Sequence, residues 1–265
     1  MRLTKHHGLG NDFIVALEEF NPGVVADQRL SQHLCDRRLG VGADGMLWGM
    51  AGADGGDLTM VLHNSDGSVA EISGNGIRCL GQAWLSARGL SAGSVVIDTP
   101  AGRRSLVADA TEDDLVMQIS VDMGAVTDGP ELPPSLASDL ADRFSRTGAM
   151  SIGNPHLILL VDDVATEDLS VLGPEVERQV PGGINVHVMA VLGPDHIELV
   201  HWERGAGMTR ACGSGASVSA VVAHQWGLVG NHVRVTVPGG DAEVTVSETV
   251  TLRGPATLVA LVETP

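Results

Sequence analysis

Apolar positions along this chain fall into two kinds of run. Short blocks rich in Val, Ile and Leu stand at 58–63, 95–98, 157–161, 194–201 and 233–237. Their length and β-branched content predict strands. Longer blocks near 27–38, 75–88, 163–170 and 213–227 carry helical spacing. Two of these, NGIRCLGQAWLSAR and GSGASVSAVVAHQWG, are apolar nearly all round. A helix without a polar face is buried, so each predicts a helix at the centre of a core. A final apolar run, 256–263 (ATLVALVE), predicts a strand that returns to complete the first half of the chain.

The same pattern occurs twice. Asn64-Ser-Asp-Gly-Ser-Val-Ala-Glu-Ile-Ser73-Gly-Asn-Gly parallels Glu203-Arg-Gly-Ala-Gly-Met-Thr-Arg-Ala-Cys212-Gly-Ser-Gly, with nine residues between the polar residue and the Ser or Cys in each. Upstream, 9–15 (LGNDFIV) parallels 152–158 (IGNPHLI); downstream, 95–102 (VVIDTPAG) parallels 233–240 (VRVTVPGG). Four landmarks in one order at near-constant spacing predict an internal duplication. The expected fold is α/β with two homologous, pseudo-symmetric halves, each a mixed or antiparallel sheet wrapped around a central helix. The N-terminal half is expected over 1–117, completed by 256–265, and the C-terminal half over 118–255, with the joint near 116–125.

The chemistry sits at the two helix starts. Ser73-Gly74-Asn75-Gly76 and Cys212-Gly213-Ser214-Gly215 put small residues where free backbone N–H groups and the helix dipole favour an anion such as a carboxylate. Either segment alone also reads as an ordinary N-cap; the matched pair carries the argument. A helix N-terminus is expected to lower the Cys212 thiol toward neutrality and make it a proton-transfer group. Cys35 and Cys79 lie inside helical blocks and read as core. Ser73 is a poor base, and an N-cap role competes with a catalytic one. Asn11, Asn64, Asn154 and Asn185 supply amides for an ammonium or carboxylate, and adjacent Glu203 and Arg204 suit the two charges of a zwitterion. His156 reads as a proton partner or as a satisfied core histidine.

Charge narrows the partners. With 33 acidic and 16 basic residues the formal net charge is −17, which argues against nucleic acid and anionic membranes. No apolar run approaches the ~18–20 residues of a membrane span. Three scattered cysteines make neither a disulfide framework nor a zinc cluster, so a cytoplasmic chain with no metal is expected.

Taken together, GLGNDFIV (8–15), GVGADG (40–45), NSDGSVAEISGNGIRC (64–79), SIGNPH (151–156), GGINVHVM (182–189) and ERGAGMTRACGSGA (203–216) resemble diaminopimelate epimerase. The resemblance spans nearly the whole chain. It implies a two-domain epimerase that needs no cofactor and uses one cysteine as thiolate base and another as thiol acid. Carried over, it makes Cys212 one catalytic residue and position 73 the other, with Ser in place of Cys. It makes Gly74, Asn75, Gly213 and Ser214 the binders of the reacting carboxylate. Asn11, Asn64, Asn154, Asn185, Glu203 and Arg204 would read the rest of the amino-acid substrate, with His156 and Glu203 tuning the proton-transfer pair. A homodimer is expected by resemblance alone. Ser73 keeps two alternatives open: a proline or hydroxyproline racemase-like isomerase, and an impaired or engineered Cys-to-Ser variant that only binds an amino acid.

Overall fold

In the computed structural model, which describes residues 1–264, the chain divides into two units: Met1–Asp122 with the segment from Arg253 onward, and Met123–Leu252. The first unit contains β1 (Arg2–Gly8), β2 (Asn11–Leu17), α1 (Gln28–Cys35), β3 (Gly45–Ala51), β4 (Leu58–Asn64), β5 (Val69–Ala70), α2 (Gly74–Ala87), β6 (Gly93–Thr99), β7 (Gly102–Ala110) and β8 (Val116–Gly124). The second contains β9 (Thr127–Asp128), α3 (Pro134–Arg143), β10 (Arg146–Ser151), β11 (Pro155–Val161), α4 (Leu169–Gln179), β12 (Asn185–Gly193), β13 (His196–Glu203), β14 (Gly207–Met208), α5 (Gly213–Gln225), β15 (His232–Val237) and β16 (Gly240–Val246). Strand β17 (Val250–Glu263) leads back into the first unit and pairs antiparallel with β1.

The two units repeat one pairing scheme. In the first, β1–β2 is antiparallel, β2–β3 parallel, β3–β4 and β4–β5 antiparallel, β4–β6 parallel and β6–β7 antiparallel. In the second, β10–β11, β11–β12, β12–β13, β13–β14, β13–β15 and β15–β16 follow the same sequence of orientations. The fold is thus α/β with two homologous halves. In the first unit β7 pairs with β8, β8 with β17 and β17 with β1, so eight strands close on themselves.

Each sheet encloses the helix that the apolar pattern singles out. Helix α2 packs against β1, β2, β3, β4, β6 and β7; α5 packs against β10, β11, β12, β13, β15 and β16. Residues 213–223 of α5 are all buried. The outer face of β11 and β12 (Leu157, Leu159, Val186, Val188) forms a second core with Leu136, Leu140, Leu172 and Val176 of α3 and α4. No helix among the described residues is long and apolar enough to cross a membrane.

Several elements differ from the sequence expectation. The helix expected over 163–170 is a short turn, Val164–Thr166, followed by α4, which begins at Leu169 and accommodates Pro174. Asp168 caps that later start, its carboxylate accepting from Ser170 N. Helix α3, and strands β1, β2, β3, β7, β8, β10, β12 and β16, are additions.

Candidate active site

The first unit builds its helix start from a polar chain. Ser73 is the N-cap of α2, and its Oγ accepts from Gly76 N at 3.0 Å. The next turn is held from inside by Arg78, which is fully buried. Its guanidinium donates to Gly74 O at 3.1 Å and to Asn75 Oδ1 at 2.8 Å. Asn75 Nδ2 donates to Asn11 Oδ1 at 3.2 Å, and Asn11 Nδ2 donates to Asp44 Oδ2 at 2.8 Å. Asn11, Asn75 and Gly74 thus form one network. Burial pulls the Arg78 pKa down to about 10, still charged at neutral pH. Asn64 stands apart from it, donating to Ser68 Oγ at 3.0 Å.

The second unit presents Cys212 as the N-cap of α5, with no side-chain cap bond. Its Sγ lies 3.6 Å from Ser214 Oγ. Burial, and then the neighbouring Glu203 carboxylate, push the thiol well above its ordinary pKa; the Ser214 hydroxyl and the Gly215 N–H act the other way and are outweighed. The resting group is a neutral thiol. The expected lowering at a helix start is therefore overturned, because the helix terminus competes with complete desolvation. Cys35 and Cys79 are buried too and pushed up to about 12.

Asn185 Nδ2 donates to Pro155 O at 2.8 Å, and its Oδ1 accepts from Arg204 N at 3.0 Å, fixing the loop after Glu203. That loop is clamped by Glu177, which accepts from Gly205 N at 3.2 Å and from Trp202 Nε1 at 2.6 Å. The Arg204 guanidinium donates to Gly182 O at 3.1 Å.

Behind Cys212 lies a column of imidazoles. His156 Nε2 meets Asn154 Oδ1 at 2.8 Å, and His156 Nδ1 meets His187 Nε2 at 2.9 Å. The His187 and His201 rings are 5.9 Å apart, and His201 Nε2 meets Thr209 Oγ1 at 3.0 Å. Thr209 in turn donates to Glu203 Oε1. Burial, the larger cause, and then nearby charge hold His156 at about 3; burial holds His201 at about 4 and His187 well below the usual range. All three are neutral at pH 7, with one proton each. Asn154 Oδ1 only accepts, so His156 carries its proton on Nε2 and His187 donates from Nε2. The Nδ1 atoms of His187 and His201 are then bare, and neither has a partner among the described residues.

Of the residues gathered here, Cys212, His156, Glu203, Asn154, Asn185 and Arg204 are singled out by the sequence pattern, whereas His187, His201, Thr209 and Glu177 are not. Strand register exposes the histidines. His156 corresponds through the repeat to Phe13, His187 to Leu47 and His201 to Leu62. One half fills these places with carbon, the other with imidazole.

The diaminopimelate epimerase family model matches residues 3–128 and 148–259. The chain is 38% identical to diaminopimelate epimerase of Thermosynechococcus vestitus, over 98% of this chain and 97% of that protein. It belongs to the diaminopimelate epimerase family. It is therefore an isomerase by family. The diaminopimelate epimerase of Gloeothece citriformis is 37% identical over 97% of this chain and 96% of its own length, and that of Methanothermobacter thermautotrophicus 35% identical over 92% and 89%. In the diaminopimelate epimerase match the unmatched stretch contains α3, the helix without a counterpart in the first unit. The fold resembles a predicted epimerase from Pseudomonas aeruginosa (TM-score 0.76, 17% identity, 99% of this chain and 98% of that one). It also resembles a hydroxyproline epimerase from Agrobacterium vitis (TM-score 0.73, 15% identity, 99% and 91%).

Proposed function

We propose that this chain epimerises diaminopimelate between its LL and meso forms without a cofactor, with Cys212 and Ser73 on opposite faces of the α-carbon, one removing its proton and the other supplying a new one. The observation that carries this reading is Cys212 itself: a thiol at the start of a buried helix, beside a carboxylate, in a chain whose family is named for the reaction. Because the resting thiol is neutral, it works as an acid as it stands. To act as a base it first passes its proton to Glu203, whose carboxylate is the neighbour that raises it. The α-proton then moves to sulfur, and the N–H groups of Gly213, Ser214, Gly74 and Asn75 stabilise the negative charge that develops beside the substrate carboxylate. Ser73 Oγ delivers a different proton from the other face; its alkoxide then takes a proton from water and Glu203 releases the one it received, which restores the resting site. Asn154 and Asn185, with Asn11, Asn64 and Arg204, hold the remaining amino-acid groups, and His156 positions Asn154 by its hydrogen bond. Action in the cytoplasm, as a homodimer and in making a lysine and peptidoglycan precursor belongs to the proposal, on family resemblance.

Ser73 favours one other reading, an impaired protein that binds an amino acid without turnover. Exchange of the substrate α-hydrogen with deuterated water separates them. Exchange that disappears in Cys212→Ala supports the enzyme; binding without exchange supports the alternative. Exchange and epimerisation of proline but not of diaminopimelate would move the assignment to the proline racemase-like isomerases. With Ser73→Cys, turnover is expected to rise tenfold or more, the low end of the ~10²–10⁴ contributed by a positioned acid–base group reduced for a hydroxyl that already donates. An unchanged rate would remove Ser73 from the mechanism.

A further inference from the structure

The imidazole column serves no step of the proposed reaction directly, yet with Cys212 it gathers a sulfur and two ring nitrogens in one buried place. His156, His187 and Cys212 each offer one ligand atom, and these atoms lie within 4.8 Å of one another. We propose that they form a capture site for a single soft divalent cation of the zinc or cadmium class. Two neutral imidazoles and a thiolate are a donor set such ions select. Tetrahedral bonds of about 2.0–2.3 Å put ligand atoms roughly 3.3–3.6 Å apart, so the set closes when the His187 ring turns out of its bond to His156 and brings its bare nitrogen into the site. His187 Nδ1 is a buried lone pair without a partner among the described residues, the state of a nitrogen ready to ligate. His156 is already oriented by Asn154 Oδ1 at 2.8 Å, an outer partner of the kind that fixes metal-bound imidazoles.

Binding is a proton exchange: the cation forms a bond to Cys212 Sγ, and the thiol proton leaves to solvent. Each ring keeps its one proton on the nitrogen turned from the metal, and the bond between His156 Nδ1 and His187 Nε2 gives way. The fourth position stays open for water or a carboxylate. The first unit cannot copy the site, because Phe13 and Leu47 stand where His156 and His187 stand. One ion per chain follows. If Cys212 transfers the proton as proposed above, its metal thiolate cannot, and the ion silences turnover reversibly; the binding itself does not depend on that reading.

The test uses the reduced full-length protein, stripped with a chelator and titrated with cadmium, with zinc as competitor. The expected result is one cadmium per chain by equilibrium dialysis, with a thiolate-to-cadmium charge-transfer band in the ultraviolet. The band is expected to vanish in Cys212→Ala and persist in Cys35→Ala and Cys79→Ala. His187→Leu, which copies the first unit, is expected to weaken binding at least tenfold, since even outer partners contribute about 10–100-fold. His187→Gln, closer in polarity, gives the same readout should the leucine variant fail to fold. No band at stoichiometric cadmium, a band that survives Cys212→Ala, or undiminished affinity in both His187 variants overturns the site. Metal binding without loss of turnover would leave the site standing and overturn only the catalytic role of Cys212.

Discussion

Gly215→Ala tests the packing beneath Cys212. A Cβ at position 215 would lie 2.0 Å from His187 Cε1 and 2.7 Å from both ring nitrogens, where ordinary contact begins at 3.4 Å. The ring would have to retreat by more than an ångström within a close-packed interior. Such overpacking costs about 1–3 kcal/mol. Retreat also strips His156 Nδ1 of its 2.9 Å bond to His187, and an orphaned buried acceptor costs about 1–3 kcal/mol more. Replacing a helical glycine by alanine returns about 1 kcal/mol. A net loss of about 1–5 kcal/mol follows, centred near 3 kcal/mol. The repeat provides the control: at Gly76 of α2 the same Cβ meets Ser73 Cβ at 3.1 Å and Leu47 Cδ2 at 3.4 Å, and Gly76→Ala is expected within about 1 kcal/mol of the parent. Urea unfolding is followed by tryptophan fluorescence in a Trp48→Phe/Trp84→Phe background, leaving Trp202 and Trp226 to report the second unit; Gly76→Ala is read with the complementary pair retained. In a double-mutant cycle, His187→Ala should recover most of the loss. Equal stability of Gly215→Ala and Gly76→Ala, or no coupling to His187, would refute the argument.

Burial depresses His6 to about 4, His156 to about 3 and His201 to about 4, and holds His187 well below its ordinary range. The unfolded chain takes up protons below about pH 6.5 that the folded chain refuses, so this contribution is complete above pH 6.5 and is lost as pH falls toward about 4. The slope is roughly 1.4 kcal/mol per pH unit for each group, and urea titrations at pH 7, 5.5 and 4.5 should show it shallower in His187→Leu/His201→Leu; an identical slope in that variant counts against the assignment. Cys212, Cys35 and Cys79 all have raised thiol pKa values, so iodoacetamide at pH 7.5 should label each at least about tenfold more slowly in the native than in the urea-unfolded chain; rapid native labelling of Cys212 would contradict its raised pKa. Glu177→Ala removes the acceptor for Gly205 N and Trp202 Nε1 and should weaken substrate binding about tenfold or more while leaving Cys212-dependent exchange at saturating substrate largely intact; a loss confined to that exchange would show that Glu177 does not act by holding the Arg204 loop.

The central helices and the duplication were legible because both are local properties: α2 and α5 are apolar on every side, and the Gly-rich starts keep their spacing. Strand β1 (RLTKHHG) and strand β16 (GDAEVTV) were not, since each mixes charge into a short run. Helix α4 was displaced by the proline inside it, and α3 by its polar sequence. At the site, Cys212, Ser73 and the asparagines are named by motif, but the state of the thiol is not: a helix start is visible in sequence, and the burial that outweighs it is not. His187 and His201 escaped for a related reason. A single histidine on an apolar strand reads as core, and only the pairing of β11, β12 and β13 assembles the column.

Strand β1 sits between β2 and β17, and that placement sets an order of synthesis. The ribosome makes β1 before, and β17 only after, everything from Asn11 to Val246 has been laid down. Until then β1 has one free edge, a row of unpaired backbone groups open to association with a neighbouring nascent chain. The unit Met123–Leu252 is continuous in sequence and waits for nothing later. The second-made half can therefore finish first, reversing the usual N-terminal precedence of multidomain chains, and a stall before residue 250 should leave a product whose first half is the one exposed to chaperones and proteases.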